Sequence, residues 1–210
     1  MTATRDNYYD EVEVILPENT SVDEIFYVKD LKQRKLFLNT DIEQMAVCEI
    51  VKHIMQYNKD DKDIPVESRM PILLYVTSNG GEIDSGFELI DVIMSSKTPV
   101  YTINLGFQYS MGFLIGLAGH KRYATKNAKF LMHDGSNFIY NSGAKAQDQM
   151  EFQKRIEERI RHYVIDRSNI TEKEYDSKLR VEWYMFAEEA KEKGFCDFII
   201  GEDCDIDAVI

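Results

Sequence analysis

The chain alternates between short apolar runs and segments with helical periodicity, from about residue 36 to residue 133. Short apolar runs bounded by turn residues are typical of buried strands, whereas apolar positions three or four residues apart are typical of helices. Strands are predicted at residues 36–38, 72–76, 100–105, 123–124, 130–132 and 198–200. Helices are predicted at residues 41–57, 83–94, 111–118, 144–168 and 187–193, and from residue 172. This alternation predicts an α/β fold with a largely parallel sheet and helices on its faces.

Two residue pairs fit the capping box, in which a Ser or Thr and a Glu three residues later satisfy each other's backbone N–H groups at the start of a helix. Thr40 with Glu43 is expected to cap the first predicted helix, and Thr171 with Glu174 a later one. Residues 58–70 are polar and are expected to form a loop before the second strand.

The chain is expected to divide into an acidic, tyrosine-rich arm at residues 1–30 and a single domain at residues 31–210. Within that domain, the long amphipathic helix at about 144–168 follows the sheet-forming half of the sequence. It is therefore expected to project from the body of the domain.

Acidic residues outnumber basic ones, with 37 Asp and Glu against 25 Lys and Arg and a net charge of -12. Phosphate binding requires clustered Lys and Arg, so this balance argues against nucleic acid as a partner. No stretch approaches about 18 consecutive apolar residues, and no basic region precedes an apolar run at the N-terminus. Neither a membrane span nor a signal peptide is therefore expected. Three cysteines without a CxxC pair fit a reducing compartment, which predicts a cytoplasmic protein.

Ser110 lies where a predicted strand meets a short, wholly apolar helix, within the segment 106–112. A hydroxyl at a helix N-terminus lies beside free N–H groups and the positive end of the helix dipole, which favour developing negative charge. Acyl transfer needs such a nucleophile beside donors for an oxyanion. The alternative is that Ser110 only caps the helix. The segment does not fit the G-x-S-x-G pattern of α/β-hydrolases, because residue 108 is Gln.

A second turn of interest, at residues 78–81, also follows a predicted strand and contains Gly80 and Gly81. Ligands of open α/β sheets bind at the carboxyl ends of the strands. Paired glycines let the backbone approach a ligand closely and present N–H groups to it. A plain tight turn is the alternative interpretation.

His133 is the best-placed candidate base among the four histidines, because it ends an apolar strand and precedes a loop. His53 and His162 lie within predicted helices, and His120 lies in a charged turn. A histidine at a strand end can also be an ordinary hydrogen-bonded polar residue. No second His, Cys or carboxylate stands at metal-ligand spacing, so neither a metal ion nor another cofactor is expected.

Four segments, taken in order, resemble the proteolytic subunit family of the Clp protease (ClpP). They are IFYVKDLKQRKLFLNTDI, LLYVTSNGGEIDSGFELIDVI, INLGFQYSMGFLIGLAGHKRYATKNAKFLMH and YMFAEEAKEKGFCDFII. At the matching places the family has its first strand, an SPGG turn, the ASMGAFL and MIH motifs, and FMSAEEAKEYGLID. The resemblance extends from about Ile25 to Ile200 and implies a ClpP/crotonase-type fold of repeated β-β-α units with a projecting long helix.

The resemblance also implies a serine endopeptidase that cleaves unfolded polypeptides with a Ser-His-acid triad. By position, Ser110 corresponds to the nucleophile and His133 to the general base. Gly81 and Met111 correspond to the residues whose N–H groups form the oxyanion hole.

The third member of the triad is the main departure from the family, because Glu182 stands where the family has aspartate. Glutamate can orient an imidazole as aspartate does, although its extra methylene requires a compensating backbone shift. Asp176 is the nearest alternative acid. The chain departs from the family at three other places. Asn79 replaces the proline of the SPGG turn, and Asp134-Gly135 replaces Gln-Pro after the histidine. Val181 replaces an arginine that, in the family, takes part in contacts between stacked rings of subunits.

The partners implied by the resemblance are further copies of the chain, in two stacked heptameric rings, and a hexameric AAA+ unfoldase that supplies polypeptides in an ATP-dependent way. The helix at 144–168 would lie between the rings. Three other functions remain open. The chain could be a non-catalytic scaffold subunit of a mixed ring, a crotonase-like enzyme acting on an acyl thioester, or a Ser-Lys peptidase using Lys97, Lys121 or Lys126.

Overall fold

The computed structural model describes residues 21–135 and 142–210. Its helices are α1 (Val22–Lys32), α2 (Gln44–Asp60), α3 (Ile83–Ser95), α4 (Met111–Leu117), α5 (Gly143–Asp166), α6 (Glu172–Lys178) and α7 (Ala187–Glu192). Its strands are β1 (Lys35–Leu38), β2 (Ile72–Val76), β3 (Val100–Asn104), β4 (Phe107–Tyr109), β5 (Lys121–Thr125), β6 (Lys129–Met132), β7 (Trp183–Phe186) and β8 (Phe198–Ile200). Short 3₁₀ turns occur at Val66–Ser68 and Ile206–Val209.

The strands form two sheets. The larger sheet has the order β1-β2-β3-β5-β8, and all of its neighbouring strands are parallel. The smaller sheet has the order β4-β6-β7, with β4 parallel and β7 antiparallel to β6. The successive units β3-β4-α4 and β5-β6-α5 each place one strand in each sheet. The α/β fold class and the repeated β-β-α units are therefore confirmed.

The two faces of the larger sheet have different coverings. All of β2 is buried, but its residues alternate between faces. Leu74 lies in the main hydrophobic core with residues of the helices, whereas Leu73 and Tyr75 lie in a second cluster that includes Val209. The hydroxyl of Tyr75 donates a hydrogen bond to the carbonyl of Val209, and burial raises the pKa of Tyr75 to about 12. The C-terminal 3₁₀ turn therefore covers the second, aromatic face of the sheet.

The Val209→Asp variant tests this covering. We expect it to destabilise the fold by about 3 kcal/mol and to increase binding of a hydrophobic dye, because Val209 is only 1% exposed and an unpaired carboxylate there would be desolvated. Thermal unfolding and dye fluorescence provide the measurements. Ile210→Asp is the matched control, since Ile210 is 63% exposed. Equal behaviour of the two variants would contradict the packing described.

The predicted capping box at Thr40 and Glu43 is wrong. Helix α2 begins after Glu43, whose side chain makes no capping hydrogen bond, and the Thr40 hydroxyl donates to the carbonyl of Asp41 instead. Ile42 explains the later start, because it pairs with Gly81 in a parallel bridge and stays extended. The second capping prediction is confirmed in part: the hydroxyl of Thr171 accepts a hydrogen bond from the N–H of Glu174, at 3.2 Å, which is one of the two hydrogen bonds of a capping box.

Three elements were not predicted, namely α1, β4 and β7. Strand β4 has only three residues, and its central residue, Gln108, is polar yet buried. The predicted loop at 58–70 is also shorter than expected, because α2 continues to Asp60 and a 3₁₀ turn occupies Val66–Ser68. The two strands β4 and β7 are short and depend on pairing with distant segments, which a local hydrophobic pattern does not report.

The proposed division at residue 30 falls within α1, whose residue Leu31 is buried. Residues 1–20 of the expected arm lie outside the described residues, so the division into arm and domain stays a prediction. Of the 24 residues of α5, only Val164 is buried, and Met150 and Phe152 in its first half are exposed. Within the described ranges, no helix is both long and apolar enough to cross a membrane.

Candidate active site

Ser110 occupies the junction between β4 and α4 in a strained backbone conformation. Its φ of 53° and ψ of -122° are rarely adopted by residues other than glycine and cost about 1–3 kcal/mol, a cost often found at functional sites. The surrounding hydrogen bonds hold it there: its N–H donates to the carbonyl of Leu131 in β6, at 3.0 Å, and its carbonyl accepts from the N–H groups of Phe113 and Leu114. Its side chain makes no capping hydrogen bond. The simple N-cap interpretation is therefore not supported.

The glycine turn packs directly against this junction. Gly80 has a φ of 106°, and a Cβ atom added to it would lie 2.6 Å from the Cβ of Ser110. Gly81 has a φ of 151°, and its Cβ would lie 2.3 Å from the carbonyl oxygen of Ile42. Only glycine fits at these two positions, because a side chain would collide with the neighbouring segments. The turn thus brings the backbone of residues 80 and 81 beside the serine.

Two backbone donors near Ser110 have no hydrogen-bond acceptor among the described residues. Neither the N–H of Gly81 nor that of Met111 donates a hydrogen bond to another residue in the described part of the chain. Met111 is the first residue of α4, where N–H groups have no acceptor within the helix and the helix dipole is positive. These are the two groups that correspond, by the resemblance to the family, to the donors of the oxyanion hole.

The side chain of His133 contacts Glu182 and lines the same cavity as Ser110. Its Nδ1 lies 3.2 Å from Oε1 of Glu182. Its Nε2 is buried and, among the described residues, makes no hydrogen bond. With Nδ1–H donating to the carboxylate, Nε2 carries a free lone pair. Such an imidazole can accept a proton from a nearby hydroxyl.

The carboxylate of Glu182 has a second partner on its own strand. The hydroxyl of Tyr184 donates to Oε2 of Glu182 at 2.9 Å, and this hydrogen bond raises the pKa of Tyr184 above its ordinary value. The ring of Tyr184 meets the ring of Tyr109 edge-on, with the centroids 5.8 Å apart. Sequence reasoning missed both tyrosines. The only available signal was the position of Tyr184 in the YMFA segment, where the family pattern places a phenylalanine.

Four of the five predicted site residues line one cavity of about 380 Å³: Gly81, Ser110, Met111 and His133. Its apolar wall is formed by Ile83, Phe113, Leu114, Met132, Val164 and Leu179. Polar residues of α5, including Gln153 and Glu157, form another side. Ser110 and His133 are not hydrogen-bonded to each other, which is common in sites without substrate because catalytic hydrogen bonds often tighten only when substrate binds.

The alternative residues considered from the sequence have other partners. Asp176 forms an ion pair with Arg161, with its Oδ1 2.9 Å from Nε, and does not contact His133 within the described residues. Lys126 pairs with Glu202, and Lys121 lies over the ring of Tyr101. None of the candidate lysines lines the cavity. In residues 21–135 and 142–210, no group of three or more His, Cys, Asp or Glu residues is arranged to hold a metal ion.

Comparison with known families decides the class of the protein. The Clp protease family model matches residues 19–203, which is most of the chain. This chain belongs to the Clp protease family. The family is one of peptidases, and the chain is a peptidase by this assignment. The parallel sheet and the long helix α5 agree with the fold of the Clp proteolytic subunits.

Three curated relatives illustrate the similarity. The chain is 34% identical over 115 residues to "ATP-dependent Clp protease proteolytic subunit 2" of Treponema pallidum, which covers 54% of the chain and 55% of that protein. It is 32% identical over 182 residues to proteolytic subunit 3 of Streptomyces coelicolor, covering 84% of the chain and 79% of that protein. It is 32% identical over 176 residues to proteolytic subunit 1 of Streptomyces avermitilis, covering 81% and 76%.

Proposed function

We propose that this chain is the proteolytic subunit of an ATP-dependent Clp-type protease and acts as a serine endopeptidase. The observation that carries the proposal is the shared cavity. Ser110 stands in this cavity at a strained strand–helix junction, and His133 lines the same cavity. Glu182 contacts Nδ1 of His133 and so leaves Nε2 available to the serine. Family membership supports the same conclusion.

The proposed mechanism begins with proton transfer from the Ser110 hydroxyl to Nε2 of His133. Oγ of Ser110 then attacks the carbonyl carbon of a peptide bond, and the carbonyl oxygen becomes an oxyanion. The N–H groups of Gly81 and Met111, which have no acceptor among residues 21–135 and 142–210, would bind it, and each such donor is typically worth about 10²–10³-fold in rate. His133 returns the proton to the leaving amine, which releases the first product. Water, activated by His133, then hydrolyses the acyl-enzyme.

Glu182 is proposed to take the role of the triad acid. A carboxylate at Nδ1 keeps the imidazole in the tautomer with Nε2 free and stabilises the imidazolium that forms in the transition state. The distance of 3.2 Å between Oε1 and Nδ1 supports this role. It also argues against the scaffold alternative, because a glutamate that reaches His133 removes one reason to expect a non-catalytic subunit.

The proposal extends to assembly. Met150 and Phe152 on α5 are exposed, and large apolar side chains on a projecting helix are typical of protein–protein contacts. They support an interface between copies of this chain, and stacked heptameric rings are the proposed arrangement. An AAA+ unfoldase is the proposed partner and unfolded polypeptides are the proposed substrates, in line with the printed names of the relatives. A cytoplasmic location remains part of this proposal.

A fluorophosphonate probe tests the serine mechanism directly. We expect one covalent adduct per chain on the folded, assembled protein, and peptide mapping by mass spectrometry should place it on Ser110, because only an activated serine reacts quickly with such a probe. Heat-unfolded protein is the control and should not react. An adduct at another residue, or no adduct on folded protein, would contradict the proposal.

A further inference from the structure

We propose that Tyr184 is a positioning residue of this site, and that its hydroxyl holds the carboxylate of Glu182 against His133. The proposal rests on the serine peptidase function proposed above and deepens it. Tyr184 would not touch the substrate in this role. It would act through Glu182, whose second carboxylate oxygen accepts its hydrogen bond at 2.9 Å.

The register of the smaller sheet explains why these side chains meet. Strands β6 and β7 are antiparallel, with Leu131 opposite Tyr184 and Met132 opposite Trp183. His133 and Glu182 are the next residues beyond this last pair, and Nδ1 of His133 lies 3.2 Å from Oε1 of Glu182. Directly opposite residues of an antiparallel pair have Cβ atoms about 4.5–5.5 Å apart, so a glutamate can reach the imidazole. Tyr184 is two residues from Glu182 and therefore points to the same face.

Glu182 needs help to hold one geometry. Its side chain is 57% exposed, so little packing restricts its rotamers. A hydrogen bond to His133 selects one of these rotamers and therefore costs side-chain entropy. In the described part of the chain, its hydrogen bonds are those with His133 and Tyr184. Each uses a different carboxylate oxygen. Together they fix both the position and the plane of the carboxylate, which one bond alone would leave free to rotate.

The ring of Tyr184 is itself braced. It lies edge-on to the ring of Tyr109, with centroids 5.8 Å apart and the planes at 90°, a favourable aromatic geometry. Tyr109 is the residue before Ser110, and it pairs with Leu131 in the smaller sheet. Through these contacts, Tyr109 and Tyr184 connect the serine turn to the carboxylate of Glu182. This arrangement compensates for the extra methylene and the added rotamers of glutamate relative to aspartate.

Removal of the hydroxyl alone, in Tyr184→Phe, is the experiment. We expect kcat for a short fluorogenic peptide to fall about 5–10-fold, the size of an ordinary net hydrogen bond, because this bond is exposed and acts on the reaction only through Glu182. KM should change less than about twofold. In a Glu182→Ala background the same change should alter kcat by less than about twofold, because no carboxylate remains to be positioned. Tyr101→Phe, on the other sheet, is the matched control and should retain the kcat of the wild type.

Each outcome decides the proposal. Wild-type kcat in Tyr184→Phe would overturn it, and so would an equal loss in the Glu182→Ala background, which would indicate a merely structural role. A crystal structure of Tyr184→Phe gives a readout that does not depend on activity: we expect the Glu182 carboxylate to leave His133 or to become disordered. An unchanged Glu182 position would overturn the proposal even if the wild type proved inactive. An inactive wild type that the probe does not label would contradict the peptidase function instead.

Discussion

Replacement of Ser110 by alanine is expected to lower peptide hydrolysis by about 10⁴-fold or more, with little effect on stability. The large kinetic effect follows from removal of the nucleophile, since the remaining triad members have no covalent step to assist. Stability should change by less than about 0.5 kcal/mol, because the side chain makes no capping hydrogen bond and alanine carries the same backbone strain at a φ of 53° as serine. Steady-state hydrolysis of a peptide and thermal unfolding give the two measurements.

Ser95→Ala is the matched control, because the hydroxyl of Ser95 donates to carbonyls of its own helix, α3, and Ser95 is not among the described residues that line the cavity. It should keep the wild-type rate. Residual hydrolysis in Ser110→Ala above about a hundredth of the wild-type rate would contradict the assignment of the nucleophile. A large fall in melting temperature would instead mean that the loss of activity reflects unfolding.

Asp61→Ala is expected to have the largest effect on stability, about 3–5 kcal/mol, or roughly 6–20 °C in melting temperature. Asp61 is buried and accepts two hydrogen bonds from the guanidinium of Arg34, at 2.6 and 2.8 Å, and one from the hydroxyl of Thr98, at 2.9 Å. The same guanidinium donates to the carbonyl of Met70. Removal of the carboxylate would leave the charge of Arg34 buried without its counter-ion.

The ion pair joins the ends of four elements, since Arg34 precedes β1, Asp61 follows α2, and Met70 and Thr98 precede β2 and β3. It therefore holds the amino ends of three parallel strands together, at the sheet edge opposite the candidate active site. Asp63→Ala is the control, because the side chain of Asp63 is 88% exposed. Its removal should change the free energy of unfolding by less than about 0.5 kcal/mol.

The pH dependence gives a second test of the same pair. Desolvation alone would raise the pKa of Asp61, but the hydrogen bonds and charge of Arg34, with the hydroxyl of Thr98, hold it below its ordinary value of 3.8. Because the pKa is lower in the folded state, the stabilisation is complete above the unfolded pKa and disappears as pH falls through the folded pKa. The difference in stability between wild type and Asp61→Ala should be constant near neutral pH and narrow only in strongly acidic solution. A difference that narrows between pH 8 and pH 6 would contradict this account.

Four of the five predicted site residues lie together in the structure, since Ser110, His133, Gly81 and Met111 line one cavity. Ser110, His133 and Gly81 had a local signal, because each stands at a strand end or in a turn, and the resemblance to the family implied the role of all four. The choice between Glu182 and Asp176 had no such signal. It depends on the register of β6 with β7, and β7 was not predicted as a strand.

The hydrophobic pattern by itself determined the α/β class, the five strands of the larger sheet and most of the helices, because burial of apolar faces follows local periodicity. The tertiary structure alone decided the smaller sheet, since its short strands gain their hydrogen bonds from segments far away in the sequence. It also decided where α2 begins, because the pairing of Ile42 with Gly81 keeps the chain extended past the predicted cap. The contact of Glu182 with His133, and that of the Tyr184 hydroxyl with Glu182, arise only when β7 pairs with β6.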